Sequence, residues 1–228
     1  TASGVKKTII NHASVAVVDP ELTLTVPPHV TAATGMDALS HAIESYTCGG
    51  GATNPLSDVL ALEAVKLITA NLEKAYVNGS DVDARSNLCL GSNFAGIAFS
   101  HARLGDVHAM SHPISAYFDV PHGVANAILL PTVVDFNMSD ADPEKYCYIY
   151  HCISKEQTVD TKFMPDMLAA EIRVLNHELG IPPTLSSVGV TSDKFEQMAD
   201  DAMKSGNIQV NPRFTTKNDI LNLYAQAF

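Results

Sequence analysis

A mainly α-helical domain, a helical bundle with a short extended segment at its start, is the fold class this 228-residue chain predicts. Three observations carry the prediction. Apolar residues recur at helical spacing over long stretches, as in Val59, Leu62, Ala64, Val65, Ile68 and Leu72. Gly and Pro punctuate those stretches at Pro27-Pro28, Gly49-Gly50-Gly51, Asn78-Gly79, Gly180 and Pro182-Pro183. The β-branched runs Thr8 to Ile10 and Val15 to Val18 lie together near the beginning, and Asp19-Pro20 marks a turn after them.

Residues 1–26 therefore read as extended structure, and two strands alone are marginal in water, so the segment reads as the edge of something larger. Residues 27–228 read as all helical. Thr31 or Thr34 can cap a first helix in which Met36, Leu39, Ala42 and Ile43 face inward and which the glycine triplet stops. A second runs over Leu56 to Val77. A third, Ala84 to His101, carries Ala95, Gly96, Ala98 and Phe99 and reads as buried on most sides. The run from Gly123 to Phe136, GVANAILLPTVVDF, is almost uniformly apolar and belongs in the core, with Pro131 kinking or ending it. Further helices are expected over Pro143 to Ser154, over Pro165 to Leu179, and from Ser192 or Asp193 through Met203. Thr216 caps a last one that turns Ile220, Leu223 and Tyr224 inward.

Composition narrows the function classes. A hydrophobic fraction of 46% with 17% charged residues is that of a globular protein rather than a disordered one. The net charge of −11, with no basic patch, argues against nucleic acid and anionic membranes as partners. No apolar run approaches the roughly 20 residues that span a bilayer, and the opening TASGVKKTII has no signal-peptide core, so a cytoplasmic protein is expected. Cys48, Cys89, Cys147 and Cys152 form no CxxC pair and are expected as reduced, buried thiols.

The chemistry concentrates in two stretches. His108, His112 and His122 lie in HAMSHPISAYFDVPH, where Pro113 and Pro121 are expected to break the run so that the last histidine returns from another direction. Asp37 and His41, in GMDALSH, are four residues apart and lie on one helix face about 6 Å from each other. Three or four imidazole nitrogens with one carboxylate oxygen make a donor set for a divalent transition metal. A lone histidine among the nine is ordinarily a satisfied core residue, and H-x3-H alone arises by chance. Joined to D-x3-H and a third histidine, it points to a site. A metal with an open position performs Lewis-acid chemistry on a carbonyl or alcohol oxygen. Neither an HExxH motif nor a nucleophile elbow beside Ser111 is present.

The wording GMDALSHAIESY, followed further on by VHAMSHPISAYFDVPHGVANAILLP, is similar to the iron-containing (group III) alcohol dehydrogenases. Weaker echoes run through LGIPPTLSSVGV and NPRFTTKNDILNLY, so the likeness spans nearly the whole chain. The resemblance implies reversible oxidation of a small alcohol to an aldehyde or ketone, with hydride transfer to NAD or NADP. It implies Asp37, His41, His108 and His122 as ligands of Fe(II), with zinc as the alternative ion. His112 matches a histidine beside nicotinamide and substrate that can relay a proton, and Phe99 matches an aromatic that packs near the nicotinamide. His101 stands where family members usually carry asparagine, and Asp106 where they carry a non-acidic residue.

The family also has an N-terminal nucleotide-binding domain with a Gly-rich phosphate loop, which this sequence lacks. Residues 1–26 are then expected to be the last strands of that domain and 27–228 the metal-binding catalytic half. Such a half is expected to bind metal, to bind NAD(P) weakly or not at all, and to assemble as a homodimer or larger homo-oligomer through the apolar face it exposes. Two rival readings stand beside this one. The first is a zinc enzyme resembling glycerol dehydrogenase or dehydroquinate synthase; the second is a non-catalytic helical domain that stores or senses a metal, or whose histidines only pack.

Overall fold

Proline costs a helix nothing at its first position, where the N–H has no partner within the helix, and this chain opens four of its helices that way. A computed structural model describes residues 13–140, 142–154 and 163–228. Among them run α1 (Pro28–Thr47), α2 (Pro55–Val77), α3 (Val82–Ala102), α4 (Asp106–Phe118), α5 (His122–Asn137), α6 (Pro143–Ile153), α7 (Pro165–Glu178), α8 (Phe195–Ala202) and α9 (Lys217–Gln226). Side-chain caps fix several starts. Asn54 accepts from Leu56 and Ser57 N–H groups at α2, Asp81 from Ala84 at α3, and Thr216 exchanges bonds with Asp219 at α9.

Helices α1, α2 and α3 pack against one another, and α5 runs through the middle of the remainder, touching α1, α4, α7 and α9. The apolar run of α5 explains that position: Ala125, Ala127, Leu129, Leu130 and Val133 are all at most 1% exposed. Small residues let the helices approach closely. A side chain at Gly123 would strike the Ala33 carbonyl oxygen, so glycine there permits α5 to lie directly on α1. Arg85, buried in α3, donates to Thr31 Oγ1, Gly79 O and Val26 O and ties the approach to α1 onto α3.

Several expectations need correction. The first helix starts at Pro28, ahead of Thr31 and Thr34. Thr34 turns its hydroxyl back to Val30 O instead of capping, and Thr31 accepts from Arg85. Pro131 does not end α5, because the carbonyl it leaves without a helical donor, Ala127 O, takes the Asn176 side-chain amide at 2.7 Å. Pro113 likewise sits inside α4; the reversal comes instead at Asp119, which adopts a left-handed conformation with φ of 54°, and at Pro121, which precedes α5. Helix α3 shows Val82, Leu90 and Ile97 to solvent and is not buried on most sides. Of the four free cysteines only Cys48 is buried.

Val15 to Val18 forms no strand, having no neighbouring strand among the described residues to pair with, and Pro20–Thr23 makes a single 3-10 turn capped by Asp19. The Thr8 to Ile10 run lies outside the described residues. Among those residues no helix is long and apolar enough to cross a membrane.

The α1–α5 contact yields a direct test. Gly123→Ala must push α5 off Ala33, and overpacking of this kind costs about 1–3 kcal/mol. A denaturant midpoint equal to that of the wild type would show that the two helices do not depend on this approach.

Candidate metal centre

Helix geometry brings Asp37 and His41 one turn apart on α1, and α4 and α5 deliver His108 and His122 to the same place. Asp37, His41 and His108 present ligand atoms that all lie within 4.8 Å of one another. The Asp37 Oδ1 atom is 3.9 Å from His41 Nε2, 3.6 Å from His108 Nε2 and 3.8 Å from His122 Nε2. Ligand atoms held at about 2 Å around one ion sit roughly 3.3 Å apart, so a small inward movement would complete such a shell. The His41 and His108 rings stack at 4.4 Å between centroids. His112 stacks on His122 at 5.3 Å and meets His108 edge-on at 6.2 Å, beside the cluster rather than among its facing nitrogens. Phe99, near the end of α3, lies 4.8 Å from the His41 ring.

Two residues that sequence reasoning did not single out complete the picture. Asn126, fully buried on α5, directs its Nδ2 at Asp37 Oδ1 (2.6 Å), His108 Nε2 (3.1 Å) and His122 Nε2 (3.2 Å). Its Oδ1 is buried without a partner. An amide carries two protons and cannot satisfy three acceptors at once. One carboxylate and two imidazole lone pairs converging on a single point are better matched by a cation, and this donor set fits a divalent transition ion. Asn126 could have been found at helical spacing from His122.

The second residue, Glu44, lies on α1 one turn past His41. Its Oε2 is 2.5 Å from His108 Nδ1 and its Oε1 accepts the Val107 N–H at 2.7 Å. In the neutral ring this carboxylate keeps the proton on Nδ1, so that Nε2, which faces the cluster, would be free to bind an ion, the arrangement common to metal-binding histidines. An acid in the apolar frame of AIESY was the available signal. Ser111 Oγ approaches His122 Nδ1 at 3.5 Å, a weak contact. His101 is exposed at the end of α3, and Asp106 is fully buried but turned to Thr215, away from the facing nitrogens.

Electrostatics follow from burial and these partners. Burial raises the Asp37 carboxyl, but the His108 hydrogen bond and the nearby charges of His41, His108 and His122 outweigh it and hold it well below the usual range. Burial lowers the His108 ring, yet the Glu44 and Asp37 carboxylates prevail and push it up to about 9. Burial pushes Asp106 up to about 8, with Glu44 adding to the effect and the Thr215 hydrogen bond opposing it.

A pH dependence follows for metal-free protein. A histidine raised from about 6.5 to about 9 contributes stability that is complete below the unfolded value and lost as pH rises through the folded one. Its size is on the order of 3 kcal/mol. Chelator-treated protein is expected to melt at progressively lower temperature between those two pH values, and His108→Gln to flatten that decline. An undiminished slope in the variant would assign the decline to another group.

Comparison with known proteins identifies the family. The profile described as "Fe-containing alcohol dehydrogenase family, C-terminal" matches residues 31–228. The 1,3-propanediol dehydrogenase of Citrobacter freundii is 42% identical over 223 residues, covering 96% of this chain and 56% of that protein. The NAD-dependent methanol dehydrogenase of Bacillus methanolicus is 35% identical over 215 residues, 94% of this chain and 56% of its own length. The crystal structure of a 1,3-propanediol oxidoreductase superposes with a TM-score of 0.86 at 40% identity, covering 92% of this chain and 55% of that one. The chain thus spans about half the length of the relatives it matches. By profile, sequence and fold together, the chain belongs to the iron-containing alcohol dehydrogenase family, whose C-terminal region it carries.

Proposed function

We propose that this chain is the metal-binding part of an alcohol dehydrogenase that interconverts a small alcohol and its aldehyde or ketone with NAD or NADP. The observation that carries the reading is the gathering of four side chains, with the Nε2 atoms of His41, His108 and His122 all within 3.9 Å of Asp37 Oδ1, inside a chain of this family. Asp37, His41, His108 and His122 would hold the ion, Fe(II) with zinc as the alternative. When bound, the ion supplies Lewis-acid polarisation of the substrate oxygen.

The chain's own residues supply the rest. Glu44 fixes the tautomer and orientation of His108. His112, stacked on His122 at the margin of the cluster, takes up or returns the hydroxyl proton, which an imidazole does near neutral pH. Phe99 offers an apolar ring face beside His41 for the nicotinamide. The names of the relatives, a propanediol dehydrogenase and an NAD-dependent methanol dehydrogenase, support a small alcohol and a nicotinamide acceptor.

In this reading residues 27–228 are the catalytic half, and 1–26 belong with a nucleotide-binding half of the kind that completes the family's fold. The four free cysteines suit a reducing compartment, the cytoplasm. The exposed Leu56 and Val59 of α2 suit a homo-oligomer.

Elemental analysis of chain purified without chelator is expected to give about one equivalent of iron or zinc, lost in His108→Ala/His122→Ala. Absence of metal from the wild type, even after anaerobic Fe(II) addition, would refute the reading. In an active enzyme containing this chain, His112→Phe is expected to lower kcat about 100-fold or more while metal content stays unchanged. Full kcat in that variant would remove His112 from the proton path.

A further inference from the structure

The polar groups that hold the start of α4 come from two distant places in the chain, Glu44 on α1 and the segment around Asn211. Gly105, the residue before the helix, brings no side-chain cap. The first two N–H groups are instead taken by distant side chains: Asp106 N–H by Asn211 Oδ1 at 3.2 Å, and Val107 N–H by Glu44 Oε1 at 2.7 Å. The next residue is His108, whose ring the other oxygen of Glu44 grips. A side chain at Gly105 would meet Asn211 Oδ1 at 2.8 Å and Glu44 Oε1 at 3.0 Å, so glycine there lets both acceptors reach the helix end.

Asn211 is itself held firmly. It and Asn137, at the end of α5, exchange amide hydrogen bonds of 2.7 and 3.2 Å. Its Nδ2 also donates to Arg213 O at 2.9 Å and approaches Thr215 Oγ1 at 3.3 Å, and the Thr215 hydroxyl donates to Asp106 Oδ2 at 2.6 Å. Asn137, Asn211 and Thr215 are at most 7% exposed. Apart from Asp106 Oδ1, which is buried without a partner, these polar groups are bonded to one another, and a buried network of this kind holds one geometry.

We infer that Asn211, in the segment that leads into α9, is a positioning residue for the metal centre: it fixes the first turn of α4 in register with Glu44, and so aims His108 Nε2 at the cluster. The inference rests on the metal-centre reading above. Partners that orient a ligating histidine typically change metal affinity 10- to 100-fold when removed. A purely structural residue would change stability and leave that affinity alone.

The test is titration of the metal-free chain with Co(II), followed by its visible absorption, on wild type, Asn211→Ala and Gly105→Ala. Gly105→Ala displaces both acceptors without deleting either, and it gives an answer if Asn211→Ala does not fold. Arg85→Met, which removes one buried and two partly buried hydrogen bonds away from the cluster, is the control for lost stability. The expected result is Co(II) affinity at least tenfold weaker with an altered spectrum in both α4 variants, and wild-type affinity in Arg85→Met at a comparable loss of melting temperature. Affinity within about twofold of wild type in the α4 variants, or an equal loss in Arg85→Met, would overturn it. A wild-type chain that binds no Co(II) would remove the metal-centre reading, and this inference with it.

Discussion

The carboxylate of Glu44 is the contact on which the site depends. One oxygen ties α1 to the backbone of α4 and the other holds the His108 ring, so a single buried side chain joins two helices and sets the direction of a proposed ligand atom. Because Glu44 is only 6% exposed, its charge is retained there by partners rather than by water. Removing any of those partners would strand a buried anion, which costs more than the lost bond itself.

Around this carboxylate the helices pack closely through small residues, α1 against α2 and α5, and α3 against α2. Ala32, Ala42, Ala95, Ala98 and Ala125 are all at most 1% exposed, and Gly35, Gly91 and Gly123 sit where an added methyl would strike a neighbour. Short side chains bring backbones together at the lower end of helix packing distances. Larger ones would separate α1 from α5 and pull His122 away from Asp37. The packing and the chemistry are therefore one constraint, read on α1 by Ala33 and Asp37 and on α5 by Gly123 and His122.

Much of this was legible in the sequence, for identifiable reasons. Period and punctuation placed α2 nearly to the residue, because the apolar spacing from Val59 to Leu72 and the Asn78-Gly79 stop are local signals. The residues proposed as ligands stood out through D-x3-H and the clustered histidines, and the structure brings all four together. What the sequence hid was long-range. Pro131 looked like a break because its rescue comes from Asn176, on another helix. Glu44 and Asn126 looked like ordinary helix residues, since their importance lies in partners 64 and 89 positions away. Val15 to Val18 carries strand propensity that needs a neighbouring strand to be expressed.

Charge bookkeeping joins these parts. Asp37, held well below the usual carboxylate range, brings one negative charge to the cluster, and Glu44 places a second behind His108. A third acid, Asp106, is wholly buried close by, but burial pushes it up to about 8, so it is mostly protonated at neutral pH and adds little charge. Two carboxylates against three neutral imidazoles leave a site that a divalent ion neutralises. Without an ion, protonation of His108 can offset only part of that charge, and its ring is pushed up to about 9. The same two carboxylates that raise the affinity of His108 for a proton would also favour a cation in the cluster, and a proton and the proposed ion would then compete for the lone pair of Nε2.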